Sequence, residues 1–217
     1  MQVPFTLEQF LGVFQAYNAG VGVAPLVLTM LGAAIAGLAM SRYPWRHRAV
    51  AGGLGVLWLW AGVVYHWGFF SRINPAAWLF GALFVLEAVL LAVYGVVRGR
   101  LLFTPRRDGA SALGFALVLY ALVIYPALGW MLGHGYPSGP SFGAPCPSTI
   151  LFFGVVLWAI DTVPVAVVIV PMLWAAAGTS AALQLGMRED IGLPVAAAIV
   201  LFALTRRRVR YFARVPL

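Results

Sequence analysis

Three residues of this 217-residue sequence are of the types that bind transition metals, namely His66, His134 and Cys146. Imidazole nitrogen and thiolate sulfur are preferred ligands of zinc and copper, and Cys146 lies between two prolines that would fix the position of its sulfur. These side chains predict a metal site for zinc or copper. A haem held by His66 and His134 is a second interpretation. The alternative is structural: a hydrogen-bonded His66, a solvated His134 and a packed Cys146.

Glu87 is the second chemical candidate, because it lies near the middle of a long apolar run. A carboxylate inside a membrane costs several kcal/mol unless it is neutralised, paired or hydrated, so it is a candidate functional group by default. We interpret Glu87 as a proton relay or ligand; the alternative is a protonated side chain that hydrogen-bonds a neighbouring helix. Asn74 and Tyr136, in the predicted outer loops, are further ligand candidates.

The composition requires a membrane environment for all of these residues. The chain is 63% hydrophobic and 9% charged, with a mean hydropathy of +0.94, which is too apolar for a soluble domain. The absence of Lys excludes a retinal Schiff base. The single cysteine excludes an intrachain disulfide.

The apolar runs predict an all-α fold, an integral membrane helical bundle of about seven transmembrane helices in one domain over residues 1–217. Thr6 and Gln9 have capping-box spacing and predict an interfacial helix within 1–18. The 38 residues from Thr149 to Gly186 are apolar except for Asp161 and are nearly twice the length of one span, so we divide them at a turn over residues Asp161 to Pro164. The predicted spans are 19–40, 49–70, 75–97, 110–132, 147–160, 164–185 and 191–204.

The arginines predict the orientation of this bundle. Three follow the first span, four follow the third and five lie at the C-terminus, whereas the other side keeps only Arg72 and Arg188. The positive-inside rule therefore puts the N-terminus outside and the C-terminus in the cytosol. The net charge of +8 is accounted for by topology rather than by nucleic-acid binding. We expect the lipid bilayer as the main partner, with anionic lipid at the Arg-rich C-terminus.

Several short segments also carry a resemblance. They are Pro4-Phe5-Thr6, Glu8-Gln9-Phe10, Trp58-Leu59-Trp60, Tyr65-His66, Ile73-Asn74-Pro75, Gly133-His134-Gly135-Tyr136-Pro137 and the loop from Phe142 to Ile150. Together they resemble an uncharacterised family of bacterial membrane proteins, known as a domain of unknown function, along most of the chain. The resemblance implies a multi-pass protein of the bacterial inner membrane and supplies no catalytic residues.

Three functions remain open at this point. The first is binding, with transport, of a metal ion or small solute through an outward-facing pocket at His66, His134 and Cys146, with Glu87 deeper. The second is a membrane-embedded metal-dependent hydrolase, in which the metal activates water. The third is a structural or assembly subunit of a membrane complex. Whether the protein is an enzyme is left undecided by the sequence.

Overall fold

A computed structural model describes the backbone of residues 3–212 and the side chains as far as residue 206. Helix accounts for 75% of the structure, and the described residues contain no strand, which confirms the all-α class. The helices are α1 (Leu7–Val21), α2 (Ala24–Met40), α3 (Arg46–Arg72), α4 (Ala77–Val97), α5 (Gly109–Met131), α6 (Pro145–Leu157), α7 (Ala166–Leu185) and α8 (Gly192–Phe212).

The N-terminal helix lies across one end of the bundle. Thr6 accepts a hydrogen bond from the Gln9 amide at 3.2 Å, and the Gln9 side chain accepts one from the Thr6 amide at 2.9 Å, so the predicted capping box is confirmed. Helices α1 and α2 meet at 89°. The bend is at Gly22, whose φ of 59° is strained for other residues. The predicted interfacial helix therefore extends to Val21, and the next helix begins later than expected.

Helix α6 is the centre of the bundle. Its 13 residues are buried except for the partly exposed Cys146, and at about 1.5 Å per residue it is roughly 20 Å long. The chain leaves helical geometry after Leu157 and re-enters it at Ala166. The long apolar stretch thus contains two helices, with α6 ending earlier than predicted, and its division into two membrane spans stays a prediction.

Hydrogen bonds define the two ends of the bundle. At one end, which we call the His47 end, the His47 imidazole accepts from the Phe103 amide at 3.0 Å. The Thr104 amide there donates to the Trp158 carbonyl at 2.8 Å. At the other, which we call the Asn18 end, the Asn18 amide donates to the carbonyl of Pro137 at 2.6 Å. Helix α6 thus begins near the Asn18 end and finishes at the His47 end.

Four helices, namely α3, α4, α5 and α7, are long and apolar enough to cross a membrane, and the bent pair α1–α2 would make five. The number of seven spans and the orientation therefore stay predictions. Helix α8 extends to Phe212, past the predicted end at residue 204, because arginine sustains a helix well. Most of the C-terminal arginines expected to attract anionic lipid lie outside the described side chains.

Candidate functional site

The predicted site residues occupy separate places near the Asn18 end. Tyr136 is 66% exposed, whereas His66 is fully buried. Asn74 is buried, and its side-chain oxygen accepts from the Ala76 amide at 3.1 Å. His134 is 16% exposed and lies 3.0 Å from Glu189. The three predicted metal ligands are therefore in different surroundings.

The metal prediction finds no structural support. Within the described part of the chain, no group of three or more His, Cys, Asp or Glu side chains could hold a metal ion. Trp174 lies between two of the predicted ligands, with its ring 5.0 Å from that of His66 and its indole beside the Cys146 thiol. His134 lies 3.0 Å from Glu189 through its Nδ1 atom. The zinc or copper site therefore has no ligand set among the described residues, and the bis-histidine haem stays a prediction.

A pair of buried acids, Glu189 and Asp190, is not among the residues predicted from the sequence. They lie in a 3₁₀ turn, Arg188–Ile191, between α7 and α8 and are 0% and 4% exposed. The sequence does carry a signal for this pair. The chain has only six acidic residues, and these two are adjacent, lie between two apolar spans and belong to the same predicted side of the membrane as His134.

Asp190 is held by residues from two other helices. The Tyr125 hydroxyl of α5 donates to its carboxylate at 2.5 Å, and the Cys146 thiol of α6 also hydrogen-bonds to it. Burial raises the pKa of Asp190 to about 6; the Tyr125 hydrogen bond acts in the opposite direction, and the neighbouring Glu189 raises the pKa further. The carboxyl therefore changes its charge in mildly acidic solution.

Glu189 is oriented away from this network. One of its oxygens meets His134, and the other, although buried, has no partner. The Tyr120 hydroxyl donates to its backbone carbonyl at 2.7 Å. Tyr120 reaches that position because its ring lies flat against Gly192, where a Cβ would collide with it. The turn that carries both acids is thus anchored to α5 through Tyr120 and Tyr125.

A cavity of about 370 Å³ opens beside Asp190. We call it the aromatic cavity, because aromatic side chains form much of its wall. These side chains come from α1 and the segment before it, and from α3, α4 and α7. They include Phe5, Phe10, Phe14, Phe70, Phe80 and Trp174. The lining residues with polar side-chain groups are Tyr65, Asn74, Tyr125, Cys146, Ser180, Gln184 and Asp190, and the described lining contains no basic residue.

A second cavity, of about 550 Å³, lies on the far side of Tyr125 and Pro140. Tyr125 and Pro140 line both cavities. The loop that contains Pro140 is fixed to α1 by Asn18, whose amide donates to the carbonyl of Gly139 at 2.9 Å and whose oxygen accepts from Ser141 at 2.6 Å. Tyr125 therefore separates the two spaces and presents its hydroxyl to Asp190 in one of them.

Glu87 is apart from both cavities, fully buried on α4, and neither carboxyl oxygen has a hydrogen-bond partner. The sequence offered two interpretations of Glu87. One of them, a hydrogen bond from its side chain to a neighbouring helix, is absent from the structure. An unsatisfied buried carboxyl in a membrane bundle requires an explanation in terms of water, an ion or function.

Comparison with known proteins gives one result. The model of a family described as "Family of unknown function (DUF6064)" matches residues 7–214. No curated protein and no solved structure matches the chain.

Proposed function

This chain belongs to the DUF6064 family, a family of unknown function, and we propose from its geometry that it binds a small organic cation in the aromatic cavity. The observation that carries the proposal is the buried Asp190 carboxyl in the cavity wall, which has no basic partner among the described residues. A buried carboxylate without a positive partner is costly, and a bound cation would remove that cost. The polar end of the ligand therefore belongs at Asp190.

The remaining wall suits the organic part of such a cation. Aromatic faces attract ammonium groups by about 0.5–2 kcal/mol per ring, more when water is excluded. Two of the rings, Phe5 and Phe10, are stacked at a centroid distance of 5.6 Å, and Phe70 meets Phe5 edge-on at 5.4 Å. A volume of about 370 Å³ fits a small organic molecule rather than a bare ion.

This proposal retains the small-solute half of the sequence hypothesis. The metal-ion half and the metal-dependent hydrolase both need a ligand set, which the described residues do not form. We place the protein in the bacterial inner membrane as a multi-pass protein, since its apolar helices suit a bilayer. We further propose that the cation exchanges between the two cavities on either side of Tyr125. Both cavities lie near the Asn18 end, so transport across the bilayer stays a separate proposal, taken from the sequence hypothesis.

Isothermal titration of the detergent-purified protein with benzyltrimethylammonium tests the proposal. This probe combines an aromatic ring with a permanent charge, and benzenesulfonate provides a ring of opposite charge as the control ligand. We expect saturable binding of the cation alone. Loss of the carboxylate in Asp190→Asn should weaken it at least 30-fold, the equivalent of roughly 2 kcal/mol for a buried charge partner.

The matched control variant is Asp161→Asn. It removes the same charge from an exposed position near the His47 end and should leave the affinity unchanged. Equal binding of the cation to wild type and Asp190→Asn would refute the assignment of Asp190. No binding of either ligand would refute the proposed function and favour a structural or assembly subunit. Uptake of the same cation by proteoliposomes tests the transport step.

A further inference from the structure

A group of buried polar atoms without partners surrounds Phe84, deeper in the bundle than the aromatic cavity. The rings of Trp58, His66 and Trp174 approach the Phe84 ring with centroid distances of 4.3, 4.7 and 5.3 Å. The indole N–H of Trp58 and both imidazole nitrogens of His66 lack a hydrogen-bond partner. Native interiors leave few such groups unsatisfied, and those that occur usually mark ordered water, an ion or a functional site.

Glu87 belongs to the same region. It lies on α4 one turn after Phe84, on the same face of the helix, and is fully buried with both carboxyl oxygens free of partners. Helices α3 and α7 pack against α4. The titratable side chains that α3 brings to this region are Tyr65 and His66, while α7 has none. No positive charge is therefore supplied to Glu87 by its neighbours, and its uncharged, protonated form is the favoured one at this depth.

The backbone around His66 departs from regular α-helical geometry. Residues Ala61–Trp67 of α3 form a π-helical segment that includes His66. Such segments occur frequently at functional sites. Gly62 lets α3 approach α4 closely, since a Cβ there would lie 2.9 Å from the Gly81 carbonyl oxygen. The wide turn presents His66 toward Phe84 and Trp174.

We propose that Glu87 is a proton-exchange site, joined to the aromatic cavity by ordered water that passes Trp174 and His66. Trp174 lines the cavity and touches His66, so it connects the two regions. A neutral imidazole has one donor and one acceptor nitrogen and can pass a proton between them. The Glu87 carboxyl gives its proton to water, one proton emerges in the cavity, and the carboxylate is reprotonated by the same route. The inference shares a wall with the proposed cation site but does not require the cation.

Infrared spectroscopy of the purified protein tests this inference directly. A protonated carboxyl has a C=O stretching band separate from the amide bands, and the band shifts when its hydrogen is replaced by deuterium. We expect such a band in the wild type at neutral pH, its shift soon after transfer to D₂O, and its loss in Glu87→Gln, which preserves the shape of the protonated acid. The matched control Glu8→Gln, at an exposed position, should retain it.

A second variant tests the route. His66→Phe keeps a ring among its aromatic neighbours but removes both nitrogens, and it should slow the exchange about 100-fold or more, as is typical when a positioned proton carrier is lost. A spectrum unchanged by Glu87→Gln would overturn the protonated state of Glu87. A band that stays unshifted in D₂O would overturn exchange through water, and normal exchange in His66→Phe would overturn the path past His66. Benzyltrimethylammonium binding in Glu87→Gln is expected to be normal, so the two proposals fail separately.

Discussion

The affinity for an organic cation should fall in acid, because it depends on the ionised form of Asp190. Burial places the pKa of Asp190 at about 6. The ionised fraction then falls from about 0.9 at pH 7 to about 0.1 at pH 5, and the apparent dissociation constant rises in inverse proportion, about tenfold. Below pH 5 the affinity should lose a further factor of about ten for each pH unit. Above pH 7 the affinity should be constant.

Titration of benzyltrimethylammonium by calorimetry between pH 5 and pH 8 measures this dependence, since the charge of the probe does not change. The groups that face Asp190 are Tyr125, Cys146 and its neighbour Glu189, which in turn contacts His134. His134→Gln is the control, because His134 is the basic side chain paired with Glu189, and the loss of affinity in acid must persist in it. A flat profile in the wild type, or a loss that disappears with His134, would refute the reasoning.

Three further predictions concern the stability of the protein and its orientation in the membrane. Asp190→Asn should raise the thermal stability of the protein in detergent at pH 8 by about 3 kcal/mol at most. The pKa of Asp190 is raised from 3.8 to about 6 in the folded state, so its protonation stabilises the fold at low pH and this contribution is lost as the pH rises through 6. A stability advantage of the variant that persists at pH 4 would contradict this. Asn18→Leu should lower the melting temperature by the equivalent of about 1–3 kcal/mol, because two loop carbonyls lose their donor, whereas exposed Gln15→Leu should not. Single cysteines can be introduced as Ser138→Cys or Asp161→Cys in a Cys146→Ser background and tested with a membrane-impermeant maleimide. The cysteine at position 138 should react in intact cells, and the cysteine at position 161 should react only after lysis. The reverse pattern would invert the predicted orientation.

The helices were predictable from the sequence because apolar length determines them, but two kinds of boundary were not. At Gly22 the apolar run continues while the backbone turns through 89°, since composition does not encode the direction of a helix. The end of α6 at Leu157 likewise falls inside an apolar run, the one from Thr149 to Gly186. It depends on backbone contacts such as that between Thr104 and Trp158, which are long-range.

The site was harder to predict, for a related reason. Asp190 gains its character from Tyr125 and Cys146, which are remote in sequence, and local spacing carries no signal of that convergence. The position of His66 near the end of a predicted span favoured an accessible place in the outward-facing pocket. Its burial among aromatic rings is decided by α4 and α7. Glu87 alone was identified from sequence as buried and chemically unusual, because depth in an apolar run is a local property.

The bend at Gly22 has a consequence for how a ligand would reach Asp190. Helix α1 carries Phe10 and Phe14 onto the aromatic cavity, and the Val3 amide ahead of it donates to Gln184 of α7 at 3.0 Å. The cover of the cavity is therefore a helix that follows the bend at Gly22, is fixed near that bend to the Pro140 loop by Asn18, and is joined to α7 at its other end by the hydrogen bond from Val3 to Gln184. Lifting it would expose phenylalanines at the depth of the lipid headgroups, where such side chains are readily accommodated. The bilayer itself would then take part in opening the cavity and serve as the reservoir from which an amphiphilic cation enters sideways.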